Sequence, residues 1–279
     1  MTTTLIIHGE RLNGSMRTVL AGWLDDGELI ECHGYHRLIT RRPVSDADLS
    51  SFRQGVDFDI NRLPMGFDSA RTRLVISDMD STLIGIECID EIADYLSIKP
   101  QVSAITESAM RGEIDFETSL RRRVALLAGL EAETLERVYE ERLFLNPGAE
   151  AMLEGLRLRG IRFALVSGGF TFFTDRLKSR LSLDYTLANR LEIREGRLTG
   201  KVEGDIVGAQ AKASLLDRLC DELEIDHSQT VAMGDGANDL IMMERAGLSL
   251  AYHAKPTVQE RASCAFNHTG LDGVLHLIG

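Results

Sequence analysis

Four short apolar runs punctuate the chain: Leu74-Val75-Ile76, Phe163-Ala164-Leu165-Val166, Thr230-Val231-Ala232-Met233 and Leu248-Ser249-Leu250-Ala251. Each runs into small or charged residues, and helical patterns lie between them. Runs that are almost continuously apolar suit strands buried on both faces, so this order predicts a parallel sheet covered by helices. Ligands of such sheets gather beyond the carboxyl ends of the strands. At those ends the chain places Asp78-Met79-Asp80-Ser81-Thr82, then Ser167-Gly168-Gly169, then Gly234-Asp235-Gly236-Ala237-Asn238-Asp239.

Between the first two strands lies a long insertion, about Ile84 to Pro147. Ile89, Ile92, Ala93 and Leu96 follow helical spacing, as do Phe116, Leu120, Val124 and Leu127, with Asp115 placed to cap the second helix. A crossover needs only a dozen or so residues. The excess predicts a small helical cap over the strand ends. Leu191-Glu192-Ile193 and Leu198-Thr199-Gly200-Lys201-Val202 flank the polar turn Arg194-Glu195-Gly196, which predicts a hairpin near the site. Residues 1–70 read as a separate small α/β segment. Leu5-Ile6-Ile7 and Leu29-Ile30-Glu31-Cys32 are its expected strands, with a helix near Met16 to Leu24. The catalytic part then spans 71–279, with its cap at about 84–147.

Composition narrows the functional classes. The chain has 279 residues, 44% of them hydrophobic, and a formal net charge of −12. That supports a sizeable core and offers no basic face for nucleic acid. Residues 1–14 lack a basic start with a long apolar run, and no stretch is apolar enough to span a bilayer. Cys32, Cys88, Cys220 and Cys264 are scattered, without CxxC spacing. These features fit a cytoplasmic enzyme whose partner is a small-molecule substrate, not nucleic acid or membrane; a homodimer is left open. In Cys32-His33-Gly34-Tyr35-His36 the two histidines would face opposite sides of a strand, which argues against a metal site there.

The strand-end residues supply what phosphate-ester chemistry needs. Unaided hydrolysis of a phosphomonoester is so slow that accelerations approaching ~10²¹ are required. Asp78 is placed to attack phosphorus as a carboxylate nucleophile. Asp80 is placed to protonate the leaving alkoxide and then activate water, given a raised pKa. Asp78 and a phosphate dianion repel each other, so a hard cation such as Mg2+ with Asp235 as a further ligand is expected, and Asp239 could ligate or hold a bound water. Ser167 and the amides after it suit phosphate oxygens, and Lys212 adds a point charge. Singly, each motif has a plainer explanation as a turn, cap or surface lysine. Their ordered placement at successive strand ends is what points to a phosphatase.

These motifs resemble the four motifs of the haloacid dehalogenase superfamily. Glu87-Cys88-Ile89-Asp90-Glu91, Ala109-Met110-Arg111-Gly112, Phe116, Ser119-Leu120-Arg121-Arg122-Arg123-Val124, Ala188-Asn189-Arg190-Leu191 and Ala254-Lys255-Pro256 narrow the resemblance to its phosphoserine-hydrolysing branch, over about Arg71 to Gly279. The resemblance implies a Rossmann-like core with a helical cap. It implies Asp78 as nucleophile and Asp80 as proton donor, with Mg2+ held by Asp78, the Asp80 main-chain carbonyl and Asp235. It further implies Glu87, Arg123, Ser167, Gly168, Lys212 and Asn238 as substrate-binding residues, and the last step of serine biosynthesis as the reaction. Ser77 departs from the pattern, since relatives often carry an apolar residue before the nucleophile.

Independently of the resemblance, Arg123 lies on the apolar face set by Phe116 and Leu120, while Arg121 and Arg122 turn away. An arginine there fits a substrate carboxylate, and Glu87 fits an ammonium. A receiver-type phosphoacceptor would need neither the cap nor an adjacent acid–base carboxylate. The nearest alternative is an enzyme for a related small ester such as phosphohomoserine.

Overall fold

The computed structural model describes residues 2–9, 12, 14, 18, 20, 22, 27–54 and 56–279. All four apolar runs form strands: β5 (Leu74–Ser77), β6 (Arg162–Phe170), β9 (Thr230–Gly234) and β10 (Leu248–Tyr252). With β7 (Tyr185–Arg194), β8 (Arg197–Glu203) and β11 (Cys264–Phe266) they make a seven-stranded sheet ordered β11-β10-β9-β5-β6-β7-β8. Every pairing in it is parallel except β7–β8.

Alternation within the strands explains why both faces are buried. Val75, Phe163, Leu165, Val231, Met233, Leu248 and Leu250 enter one core, whereas Leu74, Ile76, Ala164, Val166, Ala232 and Ala251 enter the other. On the second face the recurring alanines let the helix Ala209–Leu223 lie close, packing Leu215, Leu216 and Leu219. The first face receives the helices Ala149–Leu158 and Thr171–Leu181 through Met152, Leu156, Phe173 and Leu177.

The insertion is helical: Cys88–Tyr95, Lys99–Met110, Phe116–Ala125 and Glu133–Glu141. Ile92, Leu120, Val124 and Leu127 are buried in the stripe their spacing predicts, and the Asp115 side chain accepts the Thr118 N–H at 2.7 Å. Pairing of Ile84 with Leu145 ties the two ends of the insertion together. The expected hairpin is β7–β8, turning at Glu195 (φ 50°) and Gly196 (φ 74°). Two successive positive φ values match the right-handed twist of the strands. The hairpin is tied to the cap: Leu198 exchanges backbone hydrogen bonds with Gly129 and Leu130, and Ala132 donates to Gly196.

The amino-terminal segment is an antiparallel sheet ordered β2-β3-β1-β4: β1 (Thr3–Ile7), β2 (Gly27–Cys32), β3 (Tyr35–Thr40) and β4 (Ile60–Arg62). Leu5, Ile7, Leu38 and Ile60 pack with Leu49 and Phe52 of the helix Asp46–Arg53. The helix expected near Met16 to Leu24 lies largely outside the described residues. His33 and Gly34 form the β2–β3 turn, and buried His36 is hydrogen-bonded through Nδ1 to the Gly9 carbonyl at 3.0 Å. From the opposite face, Ile6 and Leu63 join the core beneath the large sheet.

Candidate active site

Asp78 leaves β5, the strand flanked by β6 and β9. Its backbone N–H still donates to the Met233 carbonyl, continuing the sheet pattern. Its carboxylate turns back, Oδ1 accepting the Met79 N–H at 2.7 Å and the Lys212 ammonium at 2.8 Å. Lys212, fully buried, lies 2.7 Å from Asp239 Oδ1 as well. Burial alone would lower the lysine's pKa, but Asp239 and Asp78 hold it above its ordinary value. Burial and the Asp239 charge push the Asp78 carboxyl well above the usual range, against the pull of Lys212.

Asp80 sits beside it without sharing those partners. Its Oδ1 accepts the Cys88 N–H at 2.8 Å and its Oδ2 accepts the Ser167 hydroxyl at 3.1 Å. Burial raises its pKa, which favours the protonated form a general acid needs. Ser167 Oγ also accepts the Gly169 N–H at 2.7 Å, fixing the turn after β6. A Cβ on Gly169 would stand 2.8 Å from Asp80 Oδ2, so this turn needs glycine to let the acid approach. The departure at Ser77 is absorbed locally, as its buried hydroxyl donates to the Asp78 carbonyl at 2.6 Å.

Asp78, Asp235 and Asp239 bring carboxylate oxygens within 4.8 Å of one another. Three carboxylates facing one ammonium leave excess negative charge, and Asp235 is pushed up to about 6, first by burial and then by Asp239. This all-oxygen, electron-rich donor set fits a hard metal ion. Asp239 thus stands closer to the centre than its sequence position implied, held by the Gly236 N–H at 3.1 Å. A Cβ on Gly234 would fall 2.4 Å from Asp239 Cγ, so glycine there is what admits this carboxylate.

Glu87 and Arg123 come from the cap. Glu87 precedes the first cap helix, and solvent reaches part of its side chain although protein surrounds its carboxyl. That desolvation, then the Asp80 charge, pushes its carboxyl up to about 8. It accepts the Ser81 hydroxyl at 2.7 Å, and Ser81 adopts φ 55° in the tight turn after Asp80. The half-buried Arg123 keeps a buried Nε with no hydrogen-bond partner, while Arg121 and Arg122 are exposed as their helix phase predicts. Burial lowers the Arg123 pKa; Asp90, then Glu87 and Asp80, oppose it. Asn238 lies in the loop after β9, its Oδ1 over Gly236.

Two supporting residues were not singled out by their chemistry. Asn146 donates from Nδ2 to the carbonyls of Thr82 (2.8 Å) and Ile84 (3.2 Å), bracing the turn that carries Asp80. Buried Asn189 bonds the Gly168 carbonyl and the Val207 N–H. A polar residue in phase with Leu187 and Leu191 was the available signal for Asn189.

The model of the haloacid dehalogenase-like hydrolases matches residues 75–244. A phosphoserine phosphatase of a Polaromonas species is 53% identical over 211 residues, 74% of this chain and 89% of that protein. A haloacid dehalogenase family hydrolase from Salmonella enterica serovar Typhi superposes with TM-score 0.88 at 32% identity, over 100% of this chain and 99% of its own. A solved phospho-aspartyl intermediate analogue of phosphoserine phosphatase is 41% identical, covering 71% of this chain and 94% of its own, with TM-score 0.67. Since the matched span runs from the strand before Asp78 to the helix after Asp239, the chain belongs to the haloacid dehalogenase-like hydrolase family.

Proposed function

We propose that this protein hydrolyses L-phosphoserine to L-serine and phosphate through an aspartyl-phosphate on Asp78. The observation that carries the substrate is that the cap supplies both Glu87 and an Arg123 whose buried Nε has no hydrogen-bond partner. Such a pair suits an ammonium and a carboxylate at one end of a small ester, with the phosphoryl group over Asp78. Asp78 attacks phosphorus as the bond to the serine oxygen breaks, and Asp80 delivers its proton to that oxygen. Asp80, now ionised, takes a proton from the water that attacks the acyl phosphate, releasing phosphate and regenerating both carboxyl groups. Lys212, the Ser167 hydroxyl and the Gly168 backbone stabilise the charge on the transferring phosphoryl group, and Asn238 assists from the facing loop. Mg2+ is the ion we assign to Asp78, the Asp80 carbonyl and Asp235, where it would neutralise charge between nucleophile and phosphate. We assign this chemistry to residues 71–279, with 84–147 as the cap that excludes water and residues 1–70 as an accessory segment.

The test is phosphate release from L-phosphoserine with Mg2+, its loss with EDTA, and near-complete loss in Asp78→Asn. An amide is a poor nucleophile, so full activity of a folded Asp78→Asn protein would overturn the mechanism.

A further inference from the structure

The β6–β7 ladder breaks between Val166 and Phe170, where Ser167, Gly168 and Gly169 leave the strand pairing to form the turn whose Ser167 hydroxyl meets Asp80. Asn189 on β7 fills that break. Its Nδ2 donates to the Gly168 carbonyl at 2.8 Å, and its Oδ1 accepts the Val207 N–H at 2.8 Å. Val207 directly precedes Gly208, whose carbonyl accepts the Lys212 N–H at 3.0 Å. One side chain, 1% exposed, therefore joins the Ser167–Gly168 turn to the start of the helix that presents Lys212. These two segments approach the phosphoryl site from different strand ends and share no other side-chain bridge of this kind among the described residues.

We propose that Asn189 is a positioning residue for phosphoryl transfer, setting the distance between the Ser167–Gly168 turn and Lys212. This rests on the phosphatase reading above. Both halves of the amide are used: one end must donate, the other must accept. An ionised carboxylate offers no donor to Gly168 and sets oxygen against oxygen; a protonated carboxyl restores both bonds. The alanine variant lacks both at every pH and adds no charge. Because Asn189 bonds to Gly168 and Val207 and to neither Glu87 nor Arg123, its loss acts on the transfer step and not on amino-acid recognition.

The test uses the full chain with Mg2+, as wild type, Asn189→Ala and Asn189→Asp, on both L-phosphoserine and p-nitrophenyl phosphate. Both kcat and KM are measured from about pH 5.5 to about pH 8.5, and circular dichroism and Tm are taken at each pH. The expected result at high pH is a loss of roughly 10- to 100-fold in kcat for both variants and both esters, with KM little changed. Relative to wild type, Asn189→Asp recovers as pH falls, and Asn189→Ala does not. Wild-type kcat in folded Asn189→Ala overturns the proposal, as does an Asp variant that shows no acid recovery. A loss that only tracks unfolding also overturns it, leaving the amide a fastener of the fold. Inactivity of the wild type on both esters would instead overturn the phosphatase reading itself.

Discussion

At the scale of single residues, the charges in the site divide by what they touch. Lys212 is bound to both Asp78 and Asp239, while in the cap Glu87 accepts the Ser81 hydroxyl and Arg123 keeps a buried Nε without a hydrogen-bond partner. In the proposed binding mode, removing Arg123 leaves the substrate carboxylate desolvated without its partner. Arg123→Ala should therefore lower kcat/KM for L-phosphoserine by roughly 30-fold or more. The generic ester p-nitrophenyl phosphate has neither an ammonium nor a carboxylate and should lose much less. Glu87→Gln should show the same bias through the ammonium. Equal losses on the two esters would mean that these residues support the fold or the metal centre. The residues whose placement could be read in the sequence are those fixed by position on one element, such as Asp78 at a strand end or Arg123 on a helix face. What Asn146 and Asn189 bind could not be read this way. Their partners lie 62–64 and 18–21 residues away, so only the closed fold defines what they bind.

Secondary elements show the same contrast. The central strands were legible because burial on both faces forces apolar side chains at every position, and helices in the cap because buried residues recur at 3.6 spacing. β3 and β4 were not. Tyr35–Thr40 alternates His36, Leu38 and Thr40 inward against half-exposed neighbours, and Ile60–Arg62 is only three residues long. What makes β4 count is its docking. Asn61, fully buried, donates from Nδ2 to the Ala265 carbonyl at 3.1 Å and accepts the Ala265 N–H at 2.8 Å, so its side chain imitates a strand beside β11. Asp59 then accepts the N–H groups of Asn267, His268 and Thr269 at 2.8–3.1 Å. Burial would raise the Asp59 pKa, but these amides hold it below the usual range. Asp59→Ala removes the acceptor for all three, and its expected destabilisation is about 2–4 kcal/mol. A urea titration checks this; activity per folded molecule should be unchanged, since none of these groups reaches Asp78. An unchanged urea midpoint would show that water replaces the carboxylate without loss.

Over the whole molecule, the amino-terminal sheet is welded to the edge of the catalytic sheet away from the chemistry. A protein beginning at Ser69 should keep its kcat per folded molecule. It should also show a lower Tm and a tendency to associate, because β11 would then present an unpaired edge. Size-exclusion chromatography with activity normalised to folded protein tests both, and a folded, inactive truncation would show that the segment completes the site. The same seam has a pH dependence. His8 Nδ1 lies 3.1 Å from His276 Nδ1, one ring necessarily donating to the other. Phe266 meets His8 edge-on, Tyr35 stacks on His276, and the charges facing the pair are Asp59 and Asp272. Burial, then His276, pushes His8 down to about 3, against the pull of Asp59; burial also lowers His276. The unfolded chain therefore binds a proton near pH 6.5 that folded His8 refuses until about pH 3. Above pH 6.5 the group contributes nothing to pH dependence; below it, stability falls by up to about 1.4 kcal/mol per pH unit. Glu87 and Asp235, whose pKa values are raised, act with the opposite sign, so the informative quantity is the difference between wild type and His8→Gln. In urea titrations from pH 7 to pH 5.5, wild type should lose about 1 kcal/mol more than the variant. Parallel curves for the two proteins would mean that His8 takes up its proton in the folded state as readily as in the unfolded chain, and that the seam opens to admit it.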